Sequence, residues 1–202
     1  VKIRGFAGWG VSHDIEVEDE VTVYAEYENG ATGTFITSSG EYPGSSRLEI
    51  CGDRGKLVLE QGRIKLWEVG CSVRNYTYNS TLDSKEPAVI YSEVTPEGGY
   101  GGGHSGICQN FTNAILHGEP LVAPGYDGIN AVELINAIYL SDWTGESVSL
   151  PVDRQKYKAM LDGKIKNSTY VKKQERTKAE KDEIIRKRWA SAASATPKGS
   201  SM

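Results

Sequence analysis

Along residues 21–94, apolar and polar positions alternate over short runs, and turn-forming residues separate one run from the next. Residues 21–27 and 31–37 flank Glu28-Asn29-Gly30, where Asn-Gly supplies the positive φ that a tight hairpin demands. Residues 47–51, 56–60 and 63–69 come next, joined by Gly52-Asp53-Arg54-Gly55 and by Gln61-Gly62. Connections this short permit only antiparallel neighbours, because a parallel crossover needs about a dozen residues or more. Residues 73–78 and 88–94 are expected as further strands, giving an antiparallel meander. Residues 5–13, with Gly5, Gly8 and Gly10, read as a loop leading into the first strand.

Beyond the glycine-rich residues 98–103 the period changes. Ile107, Phe111, Ala114 and Ile115 fall on one helical face, and His117-Gly118-Glu119-Pro120 ends that helix. Asp127 is the expected N-cap of a second helix carrying Val132, Ile135, Ala137, Ile138 and Leu140, apolar over a wide arc and therefore expected to be well buried. Asp153 is the expected cap of a third, with Tyr157, Met160, Leu161 and Ile165. Strands first and helices afterwards predict an α+β fold: an open, predominantly antiparallel sheet with helices packed on one face. Tyr24, Phe35, Trp67, Tyr76 and Tyr78 cannot all face one core. The sheet's other face then needs a second cover, another subunit or domain, and a homo-oligomer, a dimer or tetramer, is the expectation.

With 202 residues, 38% of them hydrophobic, the chain is long enough to bury one real core and too short to promise two. The expected division is an α+β domain over residues 1–168 and a charged helix with a disordered tail over 169–202; residues 190–202, rich in Ala, Ser and Gly, have little to bury. No run approaches the roughly 18 apolar residues of a membrane span, and Val1-Lys2-Ile3-Arg4 lacks a signal-peptide block, so a cytoplasmic location is expected. A net charge of −4 gives no reason to expect nucleic acid or membrane as a partner. Between residues 171 and 189, Lys and Arg outnumber Asp and Glu, in a mixed run that reads as a solvated helix face. Cys51, Cys71 and Cys108 are odd in number and widely spaced, which suits neither a disulfide framework nor a zinc site. Cys108 stands four residues after His104, a spacing open to a nucleophile pair but read here as a small residue on a buried helix face.

Gly101-Gly102-Gly103-His104-Ser105-Gly106 satisfies G-x-G-x-x-G, and Asp127 lies about twenty residues later. That pattern binds a dinucleotide only directly after a buried parallel strand, and here residues 95–100 intervene with no second βαβ unit, so no cofactor site is expected in this loop. A flexible loop delivering His104 to a cleft is one reading; a plain connector is the other. Ser38-Ser39-Gly40-Glu41-Tyr42-Pro43-Gly44 ends a strand with a carboxylate, a phenol and two hydroxyls, groups that can hold sugar hydroxyls and cover apolar C–H surface. Glu41, Tyr42 and His104 are thus the candidate substrate-binding residues. His13, beside Trp9 and Asp14, is a further candidate, though an ordinary loop residue is the plainer reading. No carboxylate pair, metal-ligand spacing, nucleophile elbow or P-loop is present, so no catalytic or metal-binding residue is assigned.

Residues 17–21 (Val-Glu-Asp-Glu-Val), 27–31 (Tyr-Glu-Asn-Gly-Ala) and 48–57 (Leu-Glu-Ile-Cys-Gly-Asp-Arg-Gly-Lys-Leu) resemble the C-terminal domain of the Gfo/Idh/MocA oxidoreductases. His104, Asn110-Phe111, Ala114-Ile115, Gly118, Pro120 and Gly125 continue the resemblance, as do Glu133-Leu134, Asn136-Ala137-Ile138, Ser141 and Val148-Ser149-Leu150-Pro151. It implies a large open mixed sheet offering a face to substrate and partner subunits. It also implies oxidation or reduction at a sugar or polyol carbon with NAD or NADP, held by a Rossmann domain that precedes this one. The family's Glu-Lys-Pro lysine and Asp-x-x-x-His pair lie upstream of the matched region; Lys85-Glu86-Pro87 has a different order. On this reading the chain completes an active site but cannot run hydride transfer alone, and the non-Met Val1 suits a piece of a longer product. The alternative is a freestanding sugar-binding or protein-interaction module without catalytic activity.

Overall fold

The computed structural model describes residues 1–80, 86–94, 103–171 and 177–194. Strand β1 (Lys2–Trp9) pairs antiparallel with β2 (Glu18–Glu26), and β2 with β3 (Thr32–Ser38). The β2–β3 turn is built as its residues require: Gly30 sits at φ 82°, the Tyr27 N–H donates to the Ala31 carbonyl at 2.9 Å, and Asn29 Oδ1 accepts from the Ala31 N–H at 3.0 Å. A short β8 (Val148–Ser149) pairs with the outer edge of β1, so the first sheet runs β3-β2-β1-β8.

Alternation selects the buried face. Asp19, Val21, Val23 and Ala25 of β2 are buried while their neighbours in the strand are less so, and Ile3 and Gly5 of β1 share that face. Helix α3 (Gly128–Thr144) lies on it, contributing Ala137 and Leu140 to the core with Ile3, Val21, Val23 and Val152. Helix α4 (Arg154–Lys166) packs against α3, and Asp153 caps it by accepting from the Gln155 and Lys156 N–H groups. Ser141 of α3, wholly buried, accepts from the Gly5 N–H at 2.9 Å and donates to the Glu146 carbonyl at 2.6 Å, fastening helix to strand.

The second sheet runs β4 (Arg47–Gly52), β5 (Gly55–Glu60), β6 (Arg63–Val69), β7 (Val89–Val94), again antiparallel throughout. Its two faces differ in kind. On one, Arg47 pairs with Glu49 and Glu60, Lys56 with Glu49, Lys65 with Glu60 and Arg63 with Glu93, and these long stems roof the buried Val58. On the other, Leu48, Leu59, Ile64 and Val94 form one cross-strand row and Ile50, Leu57 and Leu66 the next. Leu48, Ile50, Ile90 and Val94 of that apolar face are each more than half exposed.

The α+β class, the antiparallel pairing and the helix-covered face are as expected. The strands, however, divide between two four-stranded sheets, and no parallel pair occurs among the described residues. Residues 5–13 are not simply a loop, because β1 runs through Trp9 with its glycines pressed against other elements. Residues 73–78 are not a strand: helix α1 (Val73–Asn79) forms there, since Ser72 accepts from the Asn75 N–H and Asp53 from the Val73 and Arg74 N–H groups. These caps outweigh the strand propensity of Val73, Tyr76 and Thr77.

Helix α3 is less buried than its wide apolar arc suggests. Ile129, Val132 and Ile135 are exposed because, among the described residues, the helix meets one sheet face, α4 and the turn at Gly125–Asp127. Helix α2 (Gly103–His117) buries no residue, so Cys108 is exposed rather than on a buried face. Helix α5 (Lys178–Ser194) takes in residues 190–194, expected as disordered tail. Residues 195–202, Lys85 and most of the loop 98–103 lie outside the described residues. Among the described residues no helix is long and apolar enough to cross a membrane.

Candidate functional site

Where the first sheet ends, the β1–β2 loop meets the segment after β3. The β1–β2 ladder shifts register between Gly8 and Trp9, opposite the start of β2. Gly10 then turns at φ 62°, and a Cβ there would stand 2.4 Å from the Ile15 carbonyl oxygen, so the turn requires glycine.

Asp19 organises the rest of the loop. Its carboxylate accepts from the N–H groups of Val11 (3.0 Å), Ser12 (2.7 Å) and His13 (2.9 Å), three donors in succession. It also lies 3.2 Å from His13 Nδ1. Burial pushes this carboxyl up, but the donors from Ser12, Val11 and both groups of His13 outweigh burial and hold it down at about 2. An ionised carboxylate can only accept, so Nδ1 carries the hydrogen of this contact, and in the uncharged ring Nε2 is then the acceptor. The His13 side chain is 45% exposed against 1% for Asp19.

Ser39 joins the two loops: its N–H donates to the Asp19 carbonyl at 2.9 Å, its hydroxyl to the same carbonyl at 3.3 Å, and its Oγ stands 3.5 Å from His13 Nδ1. Asp19 and Ser39 address the same ring nitrogen, so this is not a relay that activates the serine. It is a positioned imidazole whose free nitrogen can bind a hydroxyl or take up a proton.

The structure thus brings His13 together with the segment that carries Glu41 and Tyr42. Both of those side chains are exposed, Tyr42 almost completely, and the Tyr42-Pro43 peptide is cis. His104 stands exposed in the first turn of α2. No hydrogen bond or ring contact among the described residues joins Glu41, Tyr42 and His104, or His104 and Cys108. Asp19 was hidden in the acidic run 16–20; the signal that marks it is its parity with Val21, Val23 and Ala25. Among the described residues no cluster of three or more His, Cys, Asp or Glu side chains could hold a metal ion.

Antiparallel sheets with helices after them in the chain, and a polar corner at one sheet end, define an α+β domain without a nucleotide-binding βαβ unit among the described residues. The chain belongs to the Gfo/Idh/MocA oxidoreductase family: residues 8–150 match the family's C-terminal alpha/beta domain. Solved structures with the same fold include an oxidoreductase domain protein from Kribbella flavida (15% identity, TM-score 0.56), covering 74% of this chain and 44% of that one. Levoglucosan dehydrogenase, solved with NADH and L-sorbose, matches at 18% identity and TM-score 0.52, over 75% of this chain and 44% of its own. The WlbA dehydrogenase from Bordetella pertussis, solved with NADH and UDP-GlcNAcA, matches at 19% identity and TM-score 0.50, over 75% and 39%. At these identities the likeness is one of fold, and the chain spans less than half the length of these relatives. No curated protein matches the chain.

Proposed function

We propose that this chain is the substrate-binding and assembly half of a cytoplasmic NAD(P)-dependent oxidoreductase acting on a sugar or polyol. Residues 1–168 form that unit, and residues 169–202 are a charged appendage. Support comes from the match of residues 8–150 to the C-terminal domain of a family whose solved members are more than twice the matched length. Two of those relatives were solved with NADH beside UDP-GlcNAcA or L-sorbose, which supports a nicotinamide cofactor and a polyhydroxylated substrate here.

The described residues do not fit the cofactor itself. β7, which precedes the glycine-rich loop, is an antiparallel edge strand, so Gly103 and the start of α2 do not come after a buried parallel strand. On this proposal the cofactor and the hydride-transferring residues belong to a Rossmann domain outside this chain. Calorimetry of the chain with NAD(H) and NADP(H), alongside its mass in solution, tests the proposal. The expected result is no binding together with a dimer or tetramer, assembled through the half-exposed apolar face of Leu48, Ile50, Ile90 and Val94. Micromolar cofactor binding, or a monomer, would overturn it.

Glu41, Tyr42, His104 and the oriented His13 are proposed to hold substrate hydroxyls. In the enzyme with its nucleotide-binding half, Glu41→Ala, His104→Ala and His13→Ala are each expected to raise KM about tenfold with a smaller change in kcat. A variant that leaves both constants unchanged removes its residue from the site.

A further inference from the structure

We propose that a cavity of about 360 Å³ between the end of β1, α3 and α4, with no residue of the His13 corner in its lining, is a binding site for a neutral polyhydroxylated ring such as a cyclitol or monosaccharide. Its wall is aromatic. Tyr139 and Trp143 stand four residues apart on one face of α3 and stack with ring centroids 5.8 Å apart at 19°. Tyr157 of α4 continues the column at 5.5 Å and 19°, and Trp9 leans against it, 5.6 Å from Tyr139 and 6.0 Å from Trp143. An aromatic wall of this kind supplies apolar contact for the C–H groups of a saturated ring.

The polar groups narrow the class. Lys164 holds its ammonium 5.5 Å from the Trp9 ring and 5.8 Å from that of Trp143. The place an organic cation would take over these rings is already covered by a positive charge, so a cationic ligand is disfavoured. Glu16 and Glu18 line the same cavity and oppose an anion. A neutral ligand rich in hydroxyls can donate to the glutamates and accept from Lys164.

One donor there is unspent: the Tyr157 hydroxyl has no hydrogen-bond partner among the described residues, and it remains a donor, because burial and the Glu18 carboxylate raise its pKa. Trp143 Nε1, buried without a partner, is closed off from the cavity and takes no part.

One wall of the cavity comes from outside the matched domain: α4 and Ser168 lie beyond residue 150, where the family match ends. Glu16 secures that wall, accepting from the Ser168 hydroxyl and from the Thr169 N–H (2.8 Å) and hydroxyl (2.7 Å). A ligand held by these groups would be independent of the proposed role in hydride transfer.

The test is tryptophan emission of the 202-residue chain titrated with myo-inositol, D-glucose and tetramethylammonium. One or both polyols are expected to change the emission saturably, with a Kd on the order of 1 mM, while tetramethylammonium does not. Tyr157→Phe and Lys164→Met are each expected to weaken polyol binding about fivefold without lowering the melting temperature appreciably. Neither residue belongs to the loop corner, so their effect separates this cavity from it. No saturable change with either polyol, saturation by tetramethylammonium, or indifference to both Tyr157→Phe and Lys164→Met would overturn the proposal. A loss of NAD(P)-linked activity in the assembled enzyme bears on the proposed function and not on this site.

Discussion

Asp19→Ala is expected to lower the melting temperature by on the order of 10 °C and to expose the Val11, Ser12 and His13 amides to hydrogen exchange. The carboxylate is the acceptor for all three N–H groups and the partner of His13 Nδ1, so its removal strands several donors at once. Asp19→Asn keeps an acceptor oxygen but loses the charge, and its effect should be about half as large. The pH dependence has a defined sign. Asp19 titrates at about 2 in the folded protein against 3.8 for the ordinary side chain. Its contribution is therefore complete above the unfolded value and is lost as pH falls from about 4 towards 2. Amide exchange across that window, compared between the wild type and Asp19→Asn, checks it: the wild-type loop should loosen on acidification and the variant should change little. A loop equally protected in both proteins at neutral pH would sink the assignment.

Gly5→Ala is expected to destabilise the chain by about 2–3 kcal/mol, measured by denaturant titration. A Cβ at Gly5 would stand 2.9 Å from the Ile138 carbonyl oxygen and 3.1 Å from Ile138 Cα. Both are helix backbone, so α3 itself would have to move away from β1, loosening Ala137 and Leu140 and stretching the Gly5 N–H bond to Ser141. Gly8→Ala is the control. Its Cβ would meet Val11 Cγ2 at 2.7 Å, but Val11 is an exposed loop side chain that can swing aside. The cost there should stay below about 1 kcal/mol. Equal effects at the two positions would mean that close helix–strand approach is not what Gly5 provides.

These two residues show where a linear reading succeeds and where it cannot. The Asn29-Gly30 turn, the antiparallel order of the strands, the Asp153 cap and the division into strands then helices all arise from interactions between residues a few positions apart. Neighbouring residues carry that information in their own φ preferences and side-chain hydrogen bonds, so these features, and with them the α+β class, were legible in the chain before it folded. The segment 73–79 marks the limit of such local rules, since its helix depends on Asp53, some twenty residues away, to occupy first-turn N–H groups.

Other features are set only when distant segments meet. Gly5 reads as loop chemistry until α3, more than 130 residues later, is laid against it. Asp19 looks like one member of a solvated acidic run, until the register of β1 against β2 turns it inward and the β1–β2 loop folds over it. His13 gains its orientation from that same closure, and Tyr157 joins the Tyr139–Trp143 pair only because α4 returns onto α3. Local pattern therefore specifies the kinds of element and most of their order. Which carboxylate is buried, which imidazole is aimed and where two sheets replace one are settled by packing, because burial and register depend on long-range contacts that no local pattern encodes.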